Sequence, residues 1–266
     1  QLSPDTRAGN WDACSGYHYN DTTLKGFSHT HLSGTGCIDL GDILFRPTTL
    51  KPDLTTESIY QPAAFSHKDE DASAGYYSVV LKEEGIKAEL TVTAHAGMHR
   101  YTFSSGKEAS IIIDLTHLLD NEYIYEAELE QTAANEITGM RRTRGWTDNQ
   151  YVYFVAQFSK PFQAIDFIQN KKMVSAGVKL NGTDLQACLS FDNSNGEPVI
   201  AKVGLSIVSE KNARENLETE VIGFDFDAVR SAARSAWEQA LSAITVKGGN
   251  TDDLKNFYTA MYHSMV

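Results

Sequence analysis

His18, His29 and His31 all fall inside SGYHYNDTTLKGFSHTHLSGTGC, the stretch from Ser15 to Cys37, together with several aromatics, four glycines and a string of hydroxyls. Two chemistries suit such a crowd. The first is a transition-metal site, because residues 29 and 31 on an extended chain point to one face and imidazole is a common zinc ligand. No Asp or Glu stands at a matching position to complete that site, and the spacing fits no established zinc signature. The second is a polar ligand pocket, in which imidazoles exchange hydrogen bonds with hydroxyls while aromatic rings cover apolar faces. Sugars answer that description. The small residues of HLSGTG would let backbone amides approach closely. A plainer reading stands beside it, with Tyr17, Tyr19 and Phe27 as core aromatics and the glycines as turns.

Paired carboxylates are a third possibility, since a glycosidase needs an acid and a base. Asp39 with Asp42, or Asp12 with Asp21, could be proposed. Acidic residues are abundant and nothing in the sequence marks these as buried, so solvated surface or turn capping is expected. The acidic stretches SHKDEDASAG and DNSNGEP do not follow the calcium-loop pattern and read as turns.

The elements that must position these residues follow from periodicity. From about Gly75 to Ser209 the dominant period is two. In AELTVTAHA, Leu90, Val92 and Ala94 alternate with Glu89, Thr91, Thr93 and His95, as in a sheet with one solvated face. YYSVVLK, HRYTFS, ASIIIDL, YIYEAELEQT, EITGMRRTR, QYVYFVAQF, LQACLSF and VIAKVGLSIV repeat the pattern between turn-like breaks such as EEG, LNGTD and TDNQ. Many strands at short spacing predict a large antiparallel β-sandwich.

The pattern changes at about residue 209, dividing the chain into a sandwich over 1–209 and helices over 210–266. Ser209 is placed to open a short helix in SEKNARENLETEV, and Asp225 or Asp227 a longer one whose stripe is Val229, Ala233, Trp237, Leu241 and Ile244. KGGN ends it. A last helix begins after Asn250 or Thr251, with Leu254, Phe257, Tyr258, Met261, Tyr262 and Met265 on one face. That stripe is strongest at the end of the chain, which predicts a packing partner in further sequence or, failing that, on the sandwich.

A chain of 266 residues supports a sizeable core. Its formal charge of -12 disfavours nucleic acid and anionic membrane surfaces as partners. No apolar run approaches the ~20 residues of a membrane span. Cys14, Cys37 and Cys188 allow at most one disulfide and match no zinc motif. The opening at Gln1, without initiator methionine or signal peptide, suggests a processed or shortened chain.

Beyond spacing, CSGYHYNDTTLKGFSHTHLSGTGCIDLGDILFRPT resembles the signature stretch near the N-terminus of the family 92 glycoside hydrolases, which are α-mannosidases. SHKDEDASAGYYSVVL, GIKAELTVTAHAGMHRYTF, KVGLSIVSEKNARENLETE, GFDFDAVRSAARSAWEQAL and FYTAMYHSMV resemble further stretches of that family in the same order. The resemblance covers essentially the whole chain. It implies a β-sandwich of the galactose-mutarotase-like kind, joined by linker helices to a C-terminal (α/α)6 barrel. It also implies a secreted or periplasmic, calcium-dependent, inverting exo-α-mannosidase, often α-1,2-specific, that trims mannose-containing glycans.

In such an enzyme the acid, the base and most calcium ligands belong to the barrel, so the 266 residues alone are expected to be inactive. The sandwich contributes loops at the mouth of the pocket. Trp11, His18, His29 and His31 lie in or beside the matching stretch and are carried over as substrate-binding candidates, Trp11 to stack on a sugar and the histidines to bond hydroxyls or to brace the loop. Facing a barrel, they are expected to be exposed in the isolated sandwich. The resemblance also weakens the three-histidine metal site, because calcium prefers oxygen. Two rivals remain: a free-standing carbohydrate-binding sandwich and a histidine-metal hydrolase.

Overall fold

The structure, a computed structural model, describes residues 2–6, 14–32, 36, 38–50, 61–120, 122–174 and 179–266. The strands in its first half are β1 (Ser3–Asp5), β2 (Thr23–Leu24), β3 (Gly26–Ser28), β4 (Leu44–Thr48), β5 (Ala63–Ala64), β6 (Glu70–Ser73), β7 (Tyr76–Leu81), β8 (Ile86–Val92), β9 (Ala96–Phe103) and β10 (Ala109–Asp114). Then come β11 (Tyr123–Ala133), β12 (Glu136–Arg144), β13 (Gln150–Phe158), β14 (Ala164–Gln169), β15 (Lys172–Val174), β16 (Leu180–Gly182), β17 (Leu185–Phe191) and β18 (Val199–Ser206). Three helices end the chain: α1 (Glu210–Glu220), α2 (Phe226–Leu241) and α3 (Thr251–His263).

Among the described residues a seven-stranded sheet, ordered β1-β3-β4-β10-β17-β14-β15, faces a nine-stranded sheet, ordered β16-β11-β12-β13-β18-β9-β8-β7-β6. Strands β2 and β5 form a separate two-stranded ribbon. All pairings are antiparallel, so the expected β-sandwich is the fold. The main core lies between the large sheets. Phe27 and Phe45, Ile111 and Ile113, and Ala187 and Leu189 point inward from one sheet, and Tyr101, Phe154 and Phe158 from the other. Phe45 and Phe158 stack across the gap at 6.2 Å. Each of the leucine, isoleucine and phenylalanine side chains among them, fully removed from water, contributes about 1.5–3 kcal/mol.

In one respect the alternation misleads. Its outward set in β8 is buried, with Glu89 3% and Thr91 1% exposed. Helices cover this face, and a second apolar cluster joins Tyr76, Ala96, Met98 and Val155 of the sheet to Ala213, Leu217, Val221 and Phe226 of the helical segment. Gly204 on β18 permits the contact, since a Cβ there would sit 2.4 Å from the carbonyl oxygen of Ala213 and 2.6 Å from the Cβ of Leu217. The stretch SHKDEDASAG is also more than a turn: residues 67–69 form a short 3-10 helix and Glu70–Ser73 is the edge strand β6.

The helix caps follow the sequence. Ser209 accepts from the amide of Asn212, Asp225 from that of Ala228, and Asn250 forms a capping box with Asp253. Helix α2 lies over β7, β8 and β9. Its Asp227 accepts from Arg100 Nη1 at 2.8 Å, and Arg230 stacks 3.5 Å above the Tyr76 ring. Helix α3 packs back on α2, with Tyr262 and Trp237 ring centroids 4.7 Å apart, so its apolar stripe is half-covered.

Candidate functional site at the end of the sandwich

At one end of the seven-stranded sheet, β1 pairs with β3 and brings Asp5 beside the segment holding His29 and His31. Asp5 is fully buried. It accepts from His31 Nε2 at 2.7 Å through Oδ1 and from His117 Nε2 at 2.9 Å through Oδ2. Ser28 Oγ lies 2.9 Å from the same His31 nitrogen. Burial pushes the Asp5 carboxyl up, but the two imidazoles outweigh it and hold the group well below the carboxylate range. Gly16, at φ +78°, is required here, because a Cβ would fall 2.1 Å from Asp5 Oδ1.

His29 belongs to a different chain of bonds. Its Nδ1 lies 2.7 Å from the carbonyl of Ile43, which can only accept, so Nδ1 carries the proton. Nε2 is then the acceptor for His99 Nε2–H at 3.0 Å, and His99 Nδ1 accepts from the Tyr101 hydroxyl at 2.7 Å. This pattern is the one that two neutral rings make. Burial agrees, pushing His29 down to about 4 and His99 well below its usual value.

An isolated antiparallel bridge pairs His31 with Leu40 and closes the intervening segment at its base. The return leg holds two unusual backbone positions, Leu40 at φ +74° and Ile43 at φ +60°. Such residues cost about 1–3 kcal/mol each and persist only where their surroundings impose them. Here Asp42 does so. It accepts from Thr30 Oγ1 at 2.5 Å and Arg141 Nε at 2.8 Å, while its amide donates to Thr30 Oγ1 at 2.8 Å. Arg141, 1% exposed, also donates to the carbonyls of Leu115 and His117. Asp39 ties the leg to the β12–β13 turn by accepting from the Trp146 amide at 3.0 Å and from Gln150.

A second loop, bearing His18, docks beside these residues. Thr6 Oγ1 donates to Asp21 at 2.9 Å and accepts from the amide of His18 at 2.9 Å. His18 is half-exposed, and its Nδ1 accepts from the Asn20 amide. Tyr17 and Tyr77 both donate to Glu70, and burial, together with that carboxylate, pushes their phenols up. Tyr19, 67% exposed, stacks on His67 at 4.3 Å. A cleft of about 400 Å³ opens next to His117 on the outer face of the seven-stranded sheet, with Lys25, Arg46, Asp114 and Thr116 in its walls.

His29 and His31 are thus buried, not exposed, and each serves a separate network; His18 lies at the surface. Trp11, Asp12 and Cys37 lie outside the described residues. Asp39 and Asp42, expected at a solvated surface, are 2% and 0% exposed. Asp39 does cap locally, accepting from the amide of Leu40, but both carboxylates are saturated by hydrogen bonds. Among the described residues no group of three or more histidine, cysteine or carboxylate side chains is arranged to hold a metal ion, and Asp5, Asp39 and Asp42 are already engaged by protein donors, which does not fit a calcium cradle. Asp5, His99, His117 and Arg141 carry no signal in the sequence, where no local spacing links them to residues 29–42. Chemically the arrangement is a rigid rim: it fixes two loops in space and keeps its own acids and bases occupied.

Residues 1–206 match the N-terminal domain of glycosyl hydrolase family 92, and residues 212–266 match the family 92 catalytic domain. The chain belongs to glycosyl hydrolase family 92. Among solved structures, a family 92 alpha-mannosidase from Bacteroides thetaiotaomicron in complex with mannoimidazole superposes with a TM-score of 0.92 at 38% identity, covering 99% of this chain and 36% of that one. Another family 92 glycosyl hydrolase, ccman5, superposes at 0.85 with 28% identity, covering 98% of this chain and 36% of its own. An uncharacterized secreted glycosidase of Arthroderma benhamiae is 30% identical across 94% of this chain and 36% of that protein. The family 92 chain described here therefore spans about a third of the length of these relatives. Among its described residues no helix is long and apolar enough to cross a membrane.

Proposed function

We propose that these 266 residues form the N-terminal part of a secreted or periplasmic, inverting exo-α-mannosidase that removes terminal mannose, α-1,2-linked above all, from glycans. The observation that carries this reading is the 38% identity, at a TM-score of 0.92 over nearly the whole chain, to an alpha-mannosidase solved with mannoimidazole. In this reading an (α/α)6 barrel following α3 supplies the catalytic acid, the base and the calcium ligands, and the sandwich supplies the rim. Inversion needs one carboxyl to protonate the leaving oxygen and another to activate water. Asp39 and Asp42 are poor candidates for either role, being buried and saturated. His29 and His31 brace the rim from within, while His18 and Trp11 contact the sugar. A free-standing binding module is less favoured, because residues 212–266 match the catalytic domain.

The experiment is release of mannose from an α-1,2-mannobiose, followed for residues 1–266 and for the protein with its barrel. The longer protein should cleave and lose cleavage in chelator until calcium is restored; the shorter should not. Replacing Trp11 or His18 by alanine in the longer protein should raise KM, whereas His31→Ala should lower the thermal midpoint as well. Cleavage by residues 1–266 alone would overturn the division of labour, and an inactive longer protein would overturn the activity.

A further inference from the structure

The outward face of β11, β12 and β13 beyond the end of α1 carries aromatic side chains that the core does not use. Tyr123 is 62% and Tyr125 39% exposed, and Trp146, in the turn that joins β12 to β13, is 66% exposed. Tyr123 and Tyr125 meet edge to face at 5.1 Å. The guanidinium of Arg142 lies 4.9 Å from the Tyr125 ring centre and 5.4 Å from that of Tyr151, so one cation bridges two rings across three strands. Register explains the alignment, since Arg142 pairs with Tyr151 on one side and with Glu126, next to Tyr125, on the other.

This face is built rather than incidental. Arg142 Nε and Nη2 donate to Asn149 Oδ1 at 3.0 and 2.5 Å, which orients the guanidinium plane and leaves N–H groups over for a ligand. The backbone of Trp146 is fixed by Asp39. Charge is locally balanced: Arg144 pairs with Asp148, and Glu126 stands opposite Arg142. In a chain of net charge -12, a near-neutral face of exposed rings interleaved with hydrogen-bond donors suits a ligand with flat C–H faces and hydroxyl edges.

We propose that Tyr125, Arg142, Tyr151 and Trp146 form a second glycan-binding platform, which takes neutral pyranose chains along the β11–β13 face and is separate from the rim that holds His18 and His31. It rests on the reading of the protein as glycan-directed, but its binding needs no catalysis. Because Asp39 anchors both Trp146 and the rim, the platform is held in fixed relation to the rim and would grip a branch of the glycan other than the one being trimmed.

Affinity electrophoresis of the 266-residue chain in gels containing neutral α-mannan tests this, with heparin gels as the anionic control. The chain should be retarded by mannan and not by heparin. Tyr151→Ala, Trp146→Ala and Arg142→Ala should each weaken retention about tenfold, a loss of ~1.4 kcal/mol, without moving the thermal midpoint. Arg234→Ala, on the exposed side of α2 and away from both faces, should leave retention unchanged. No retardation, equal retention by the platform variants, or retention by heparin alone would overturn the proposal. Since mannose release is measured separately on the protein with its barrel, mannan binding by the 266 residues with no cleavage by that longer protein would sink only the mannosidase reading, and cleavage by the longer protein without mannan binding by the 266 residues only the platform.

Discussion

Replacing Glu89 by glutamine should loosen the helical segment from the sheet, and should do so only where Glu89 is ionised. Glu89, its side chain 4% exposed, accepts from Arg100 Nε at 2.8 Å and Nη2 at 2.9 Å, and Arg100 in turn donates to Asp227 of α2. Burial pushes the Glu89 carboxyl up, but the hydrogen bonds from Arg100, Tyr76 and Lys87 outweigh it and hold it at about 2, against an ordinary 4.5. At ~1.4 kcal/mol per unit, that difference corresponds to about 3 kcal/mol, reduced to about 2–3 because the Arg100 side is partly open to water. The folded value is the lower one, so the stabilisation is complete above the ordinary carboxylate value and is lost as pH falls from 4.5 through about 2. Urea unfolding of wild type and Glu89→Gln should differ by about 2–3 kcal/mol near neutrality, and the gap should close in strong acid. A gap that is independent of pH, or below about 0.5 kcal/mol at neutrality, would refute the reasoning.

Three further outcomes follow from the same packing. Gly204→Val places methyl groups where α1 passes and should cost about 1–3 kcal/mol, read as faster amide exchange confined at first to α1. Asp42→Ala leaves Arg141 buried without its carboxylate and should lower stability by about 3–5 kcal/mol in chemical denaturation; a loss under about 1 would show that water replaces the partner. His29 is held neutral with its value depressed to about 4, so the unfolded chain binds a proton that the folded chain refuses, and stability should fall as pH drops from about 6.5 towards 4. His29→Gln should flatten that part of a thermal-midpoint profile, and an unchanged slope would assign the acid sensitivity elsewhere.

Strand pattern and helix capping were legible because they are local. Alternation in ASIIID is the inward set Ile111 and Ile113 of β10, and Ser209, Asp225 and Asn250 cap as their side-chain chemistry predicts. The burial of Glu89 and Thr91 was not legible, because alternation reports only that two faces differ in polarity. A face that meets water and one that meets a polar-edged helix look alike. At the rim, spacing suggested that His29 and His31 act together. Their partners lie elsewhere in the chain, at His99 for one and Asp5 for the other, so the fold separates them. Asp39 and Asp42 misled for the same reason: a carboxylate in a polar stretch reads as solvated until Trp146 and Arg141, about a hundred residues on, are placed beside it.

Helix α1 also decides where this protein can be cut. The match to the catalytic domain begins at residue 212, yet Ala213 and Leu217 complete an apolar cluster with Met98 and Val155 of the sheet, and Lys202 Nζ holds the carbonyl of Val221 at 2.9 Å. The hereditary boundary and the cooperative folding unit therefore do not coincide. A sandwich ending at Ser206 would present that greasy face to solvent and should self-associate, and a graft of one family member's catalytic domain onto another's sandwich should succeed only when α1 travels with the sandwich whose Gly204 it was shaped to touch.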